Sequence, residues 1–118
     1  MKEVCVIDDN LDTLTLVQYI LESEGYEVQC FAKWQDFYHH LDIFTPSLIL
    51  LDVYLGAADG RYIAKNLKSS LLTKHIPIIL FSSNRELNNC DADDFMSKPL
   101  NAHSLINIVK KFIGAAVI

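Results

Sequence analysis

Leu48-Ile49-Leu50-Leu51-Asp52 is the stretch around which the rest of the chain arranges itself. Four apolar residues in a row, closed by a carboxylate, suit a central parallel strand covered on both faces. The same grammar recurs on either side. Val4-Cys5-Val6-Ile7 runs into Asp8-Asp9-Asn10, and Ile76-Pro77-Ile78-Ile79-Leu80-Phe81 runs into Ser82-Ser83. Phe95-Met96-Ser97 is a shorter run ending in Lys98-Pro99. Pro77 falls at the start of its run, where a missing N–H is tolerated. Tyr26, Val28 and Cys30 alternate with Glu27, Gln29 and Phe31, as in a strand with one less-buried face.

Between these strands the period changes to that of a helix. Leu14, Val17, Ile20 and Leu21 share one face of residues 11–24, with Asn10 or Asp12 as the cap and Gly25 as the stop. Trp34, Phe37, Leu41 and Phe44 repeat at helical spacing until Thr45-Pro46, because a residue before proline disfavours the helical region. Asp59-Gly60 opens a third helix with the stripe Ile63, Leu67, Leu71. A last helix over 101–113 turns Leu105, Ile108, Val109 and Phe112 inward. Alternating strands and helices mean right-handed βαβ crossovers and a parallel sheet. The expected fold is a doubly wound α/β sheet of five strands, flavodoxin-like, in the order 2-1-3-4-5.

The 118 residues fit a single domain, 1–118, that holds a core without disulfides. A net charge of −5 argues against a general phosphate-backbone binder, so no direct nucleic-acid role is expected. Cys5, Cys30 and Cys90 match no zinc spacing, which suits reduced thiols and a cytoplasmic setting. No apolar run approaches the ~20 residues of a membrane span. Trp34, Phe37, Tyr38 and Phe44 read as core, the His39-His40 pair as a solvated helix face, and His75 and His103 as a turn and an early helix residue. The apolar tail 112–118 is expected to pack on the last helix, to continue into a longer protein, or to mediate association.

In an open α/β sheet, ligands bind beyond the carboxyl ends of the strands at the topological switch point. There this chain places Asp8 and Asp9, Asp52, Ser82 and Ser83, and Lys98. Three converging carboxylates need a cation or a shared proton. An all-oxygen, highly negative set selects a hard divalent ion, and Mg²⁺ suits one that also meets phosphate oxygens. Lys98 adds a point positive charge and Ser82 a hydroxyl donor, which completes a set for handling a phosphoryl group. A carboxylate can itself be the nucleophile.

Val6-Ile7-Asp8-Asp9-Asn10, Leu48 to Asp52, Asp59-Gly60, Ile76 to Ser82 and Lys98-Pro99 together resemble a response-regulator receiver domain over the whole chain. The strand order 2-1-3-4-5 rests in part on this resemblance. It implies that Asp52 is the phosphoacceptor and that Mg²⁺ is held by Asp9 directly, by Asp8 through water, by Asp52, and by the Tyr54 backbone carbonyl. It implies that Ser82 and Lys98 meet phosphoryl oxygens, that Phe95 changes rotamer as Ser82 shifts, and that the Lys98-Pro99 bond is cis. The donor would be a histidine kinase or a histidine phosphotransfer protein. Output would run through protein contact, as a monomer or weak dimer, with only self-phosphorylation and self-dephosphorylation chemistry.

The chain also departs from the family's pattern. Gly56 stands where the family usually has proline, so a looser loop after Asp52 is expected. Ser82 to Lys98 is a short span, so the fourth helix is expected to be shortened or missing, with room for two turns at most within 84–90. Phe95 lacks a tyrosine's hydroxyl, and Tyr54 is bulky enough to screen an acyl phosphate from water and slow its hydrolysis. Two alternatives keep the same residues. One is a receiver-like scaffold that works without phosphorylation. The other is a haloacid-dehalogenase-type phosphatase, which Tyr54 opposes because that family resembles Asp-x-Asp here. A flavodoxin-like cofactor binder is disfavoured, since Asp8-Asp9 would repel a flavin phosphate.

Overall fold

A computed structural model of the chain describes residues 2–82, 91–98 and 101–116. Strands β1 (Glu3–Ile7), β2 (Glu27–Phe31) and β3 (Leu48–Asp52) precede a hairpin of β4 (Tyr54–Leu55) and β5 (Ala58–Asp59), and β6 (Ile78–Ser82) and β7 (Asp94–Ser97) follow. The helices are α1 (Leu11–Ser23), α2 (Trp34–Leu41), α3 (Gly60–Ser69) and α4 (Ala102–Ile113). The main sheet is all parallel, in the order β2-β1-β3-β6-β7. With the hairpin set aside, that is the expected order 2-1-3-4-5 of a doubly wound, flavodoxin-like sheet.

The three inner strands explain their unbroken apolar runs, because all their residues are buried. Alternate side chains go to opposite faces. Val4, Val6, Leu48, Leu50, Ile79 and Phe81 pack with the apolar stripes of α1 and α4. Cys5, Ile7, Ile49, Leu51, Ile78 and Leu80 pack under α2 and α3. Neither face is left to solvent, so no inner position can be polar without a partner.

Local signals set most element ends. Asn10 caps α1, its side-chain oxygen accepting from the N–H groups of Asp12 and Thr13 at 2.9 and 3.2 Å. Gly25 closes the helix with φ 95°, in the left-handed region. Asp59 caps α3 and Asn101 caps α4. The tail beyond α4 is tied down as far as it is described. Tyr26 Oη donates to Gly114 O at 2.6 Å, Lys2 Nζ donates to Ile113 O and Ala115 O, and Ala116 packs on the α1–α4 core.

Four expectations are corrected. Helix α2 ends at Leu41, before Thr45-Pro46, and Phe44 lies beyond it and is exposed. Helix α3 ends at Ser69, which leaves Leu71 outside the stripe and 80% exposed. His40 does not lie on a solvated face: its ring turns inward onto the buried carboxylate of Glu3. The segment after Asp52 is a paired hairpin, with Tyr54 opposite Asp59 and Leu55 opposite Ala58. Gly56 takes φ 62° at its turn, a conformation that glycine adopts without cost and proline cannot.

Among the described residues there are four helices. The whole path from β6 to β7 is residues 83–93, and 91–93 carry no helix. Ser83, the 84–90 segment with Asn84 and Cys90, and Pro99 with its peptide bond to Lys98 lie outside the described residues.

Candidate functional site

The parallel register brings the strand ends together. Ile7 pairs with Leu51, which sets Asp8 beside Asp52 where β1 and β3 adjoin. Asp52 pairs with Phe81, so Ser82 follows one step on, and Ser82 pairs with Ser97, which leads into Lys98. The backbone stitches these ends beyond the strands: Asp8 N–H donates to Phe31 O, Val53 N–H to Phe81 O, and Lys98 N–H to Ser82 O, at 2.9–3.1 Å.

Asp8 is completely buried and Asp52 is 5% exposed, whereas Asp9 faces solvent. One carboxylate oxygen from each of the three lies within 4.8 Å of the others. Asp8 is held on both sides: Oδ1 accepts from Asn10 N–H at 2.9 Å, and Oδ2 from Lys98 Nζ at 2.7 Å. Lys98 also stands 3.4 Å from Asp52 Oδ1, a looser contact than the one to Asp8. One ammonium thus serves two buried carboxylates and leaves the cluster net negative.

The electrostatics follow from that imbalance. Burial pushes the Asp52 carboxyl up to about 6, and the charge of Asp8 pushes in the same direction. The Lys98 charge and the Tyr54 backbone N–H, which donates to the Asp52 carboxylate, oppose it without cancelling it. Burial works against the charge of Lys98, but its hydrogen bond and ion pair with Asp8, then those with Asp52, hold its ammonium above the ordinary lysine value.

The cluster is short of positive charge and made of oxygen donors. A hard divalent ion that retains water fits that donor set, and thiophilic ions do not. Asp8, Asp9 and Asp52 are the residues that can hold it. Tyr54 begins β4 two residues after Asp52 and is 53% exposed.

Ser82 is buried at the carboxyl end of β6, in the row that leads from Asp52 to Lys98. Phe95 is not gathered into the cluster: it sits on β7 opposite Leu80, 41% exposed, over a shallow depression bordered by Met96, Asn101, Ser104 and Ile108.

One residue matters more than its sequence context suggests. Gly60 opens α3 directly against the backbone of Asp52, and its N–H donates to Val53 O at 2.7 Å. A Cβ at Gly60 would lie 2.1 Å from the Asp52 carbonyl oxygen. The Asp59-Gly60 pair therefore caps the helix and also lets it press on the strand end that presents Asp52. The sequence carried the glycine but not the contact that requires it.

A family model for the response regulator receiver domain matches residues 4–110. The alkaline phosphatase synthesis transcriptional regulatory protein PhoP of Bacillus subtilis is 30% identical over 118 residues, covering 95% of this chain and 48% of that protein. The chain thus spans about half the length of that transcriptional regulator. The polar-differentiation response regulator DivK of Brucella anthropi is 26% identical and is covered over 98% of both chains. The receiver domain of the sensor histidine kinase PA1611 from Pseudomonas aeruginosa, solved with a magnesium ion coordinated in its active-site cleft, superposes with a TM-score of 0.86. It is 22% identical, with 97% of this chain and 98% of that one covered. Among the described residues, no helix is long and apolar enough to cross a membrane.

Proposed function

The chain belongs to the response regulator receiver family, and from that membership we propose that it accepts a phosphoryl group on Asp52 in two-component signalling. The observation that carries this reading is the convergence of Asp8, Asp9, Asp52 and Lys98 at the carboxyl-end rim of the sheet, with Lys98 within 3.4 Å of Asp52.

The donor would be a phosphohistidine on a kinase or phosphotransfer protein. An oxygen of Asp52 forms the new P–O bond while the donor's P–N bond breaks, the electron pair leaving with the imidazole. Asp52 must be ionised to attack, and Lys98 favours that form. Lys98 and the Ser82 hydroxyl would meet the phosphoryl oxygens, which carry the charge in the transition state. Asp8, Asp9, Asp52 and the Tyr54 carbonyl would hold a Mg²⁺, which would supply the positive charge that an anionic phosphoryl group needs to approach three carboxylates. The magnesium ion in the cleft of the PA1611 receiver supports this assignment.

The new charge on Asp52 then shifts an existing equilibrium between two conformations. Ser82 and Phe95 would carry that shift to the β7–α4 face, where a partner protein reads it. Residues 1–118 act in this reading as one cytoplasmic receiver unit, monomeric or weakly dimeric, whose chemistry is confined to gaining and losing its own phosphoryl group.

Intact-mass measurement after adding Mg²⁺ and a small-molecule phosphodonor tests the proposal. One phosphoryl adduct is expected, absent without Mg²⁺ and absent from Asp52→Asn. An adduct that persists in folded Asp52→Asn, or no adduct from a donor kinase in the presence of Mg²⁺, would overturn it.

A further inference from the structure

About five residues before Asp8 along the chain, roughly 16 Å away at strand rise, a second group of ionisable side chains is largely buried. Glu3 is 2% exposed and Cys5 is fully buried. Both point to the α2 face of β1, where the inward ring of His40 meets them. His40 Nε2 lies 2.7 Å from Glu3 Oε1, and Cys5 Sγ donates to the same oxygen at 3.5 Å. A carboxylate oxygen, a thiol sulfur and an imidazole nitrogen thus fall within 4.8 Å of one another. Phe31 and Phe44 stand beside the imidazole at 5.3 and 6.0 Å between ring centroids. The His40 side chain, 21% exposed, is the way in.

We propose that Glu3, Cys5 and His40 form a second metal site, for a thiophilic divalent ion of the Zn²⁺ class, with a water molecule as fourth ligand. The charges decide the class. A carboxylate, a thiolate and a neutral imidazole sum to two negative charges, so a divalent ion makes the buried assembly neutral. Sulfur, nitrogen and oxygen donors in a tetrahedral arrangement suit Zn²⁺, whereas Mg²⁺ takes oxygen donors only. The Sγ–Oε1 separation already suits two ligands of one such ion, and the His40–Glu3 contact opens by about half an ångström on binding. Binding replaces the thiol proton, which is released to solvent, and an ion with high affinity for sulfur favours that exchange. The site ties α2 to β1, so its occupancy would set how firmly that helix is held on the sheet.

Co²⁺ is the probe, because a thiolate ligand gives it an intense near-ultraviolet charge-transfer band and tetrahedral coordination strengthens its visible bands. The full chain, with excess Mg²⁺ to occupy the acidic rim, should take up stoichiometric Co²⁺ with that band, and Zn²⁺ should remove it. The band should persist in Asp52→Asn and in a Cys30→Ser/Cys90→Ser variant whose only thiol is Cys5. It should vanish in Cys5→Ser, and affinity should fall by about tenfold or more in His40→Asn. No thiolate band in the folded Cys30→Ser/Cys90→Ser variant would overturn the proposal, whatever the fate of Cys5→Ser. So would an unchanged band in Cys5→Ser. Neither result bears on phosphorylation of Asp52.

Discussion

Gly60→Ala isolates the contact that presents Asp52. At an ordinary helix position this change stabilises by about 0.4–1 kcal/mol, because alanine restricts the unfolded chain. Here the sign should reverse. The added Cβ would sit 2.1 Å from the Asp52 carbonyl oxygen and 3.0 Å from both the Asp52 carbonyl carbon and Val53 Cα. These are backbone atoms of a buried strand end, with no flexible side chain to turn aside. Relief requires α3 or the Asp52 carbonyl to move by about 1 Å, a strain of the size that costs ~1–3 kcal/mol in packed interiors. It also stretches the 2.7 Å hydrogen bond from Gly60 N–H to Val53 O. The expected net loss is about 2 kcal/mol, read as a lower urea midpoint at unchanged slope. A displacement of about 1 Å at the reacting carboxylate can cost up to ~100-fold in rate, so phosphorylation by a small phosphodonor should slow markedly. Gly56→Ala is the control. Its Cβ meets nothing within 4 Å, so it should cost only the ~1 kcal/mol of the left-handed backbone and leave the phosphorylation rate alone. A Gly60→Ala protein as stable as the parent and equally fast would refute the claim that this contact sets the site.

Asp52 should make the metal-free protein pH-sensitive. Its folded value of about 6 lies above the ordinary 3.8, so its contribution to stability is fully present below pH ~4 and is lost as pH rises through 6. The stability advantage of Asp52→Asn over the parent should therefore widen between about pH 4 and 7, by an amount of the order of 2 kcal/mol, as followed by urea midpoints in chelator. Added Mg²⁺ should narrow that gap. Lys98→Met leaves the buried Asp8 without its 2.7 Å cation. It should cost about 2–3 kcal/mol, less than a fully buried pair because Lys98 is partly solvated. Mg²⁺ should raise its thermal midpoint more than the parent's. Asn10→Ala removes the cap from α1 and should lower stability by about 1 kcal/mol, or a few degrees in Tm by calorimetry.

Much of this arrangement was legible because it depends on short-range pattern. Leu48 to Leu51 and Ile78 to Phe81 are continuous apolar runs because both faces of their strands are covered, and that condition is written in each residue. The polar residue that closes each run must lie at the strand's carboxyl end, so Asp8, Asp52, Ser82 and Lys98 could be assigned to one rim before any distance was known. The same logic misplaced the ends of α2 and α3. Phe44 and Leu71 continue their stripes on paper, yet the chain leaves the sheet before reaching them and they finish exposed. Periodicity reports which residues could share a face, and only packing decides how far the face extends.

What the sequence determined by itself, then, is the alternation of elements, the sheet they build and the residues at its functional edge, because these follow from period and from the chemistry of strand ends. Packing between elements settled the rest. Cys5 looked like a plain strand residue, Glu3 drew no reading at all, and His40 looked like a solvated helix residue, until the crossover through β2 laid α2 over β1. Gly60 looked like an ordinary helix opener until α3 came down on the Asp52 carbonyl. The segment at Gly56 looked loose until its two sides paired. In each case the deciding contact joins backbones or side chains whose separation is set by how elements pack, and no local pattern encodes that distance.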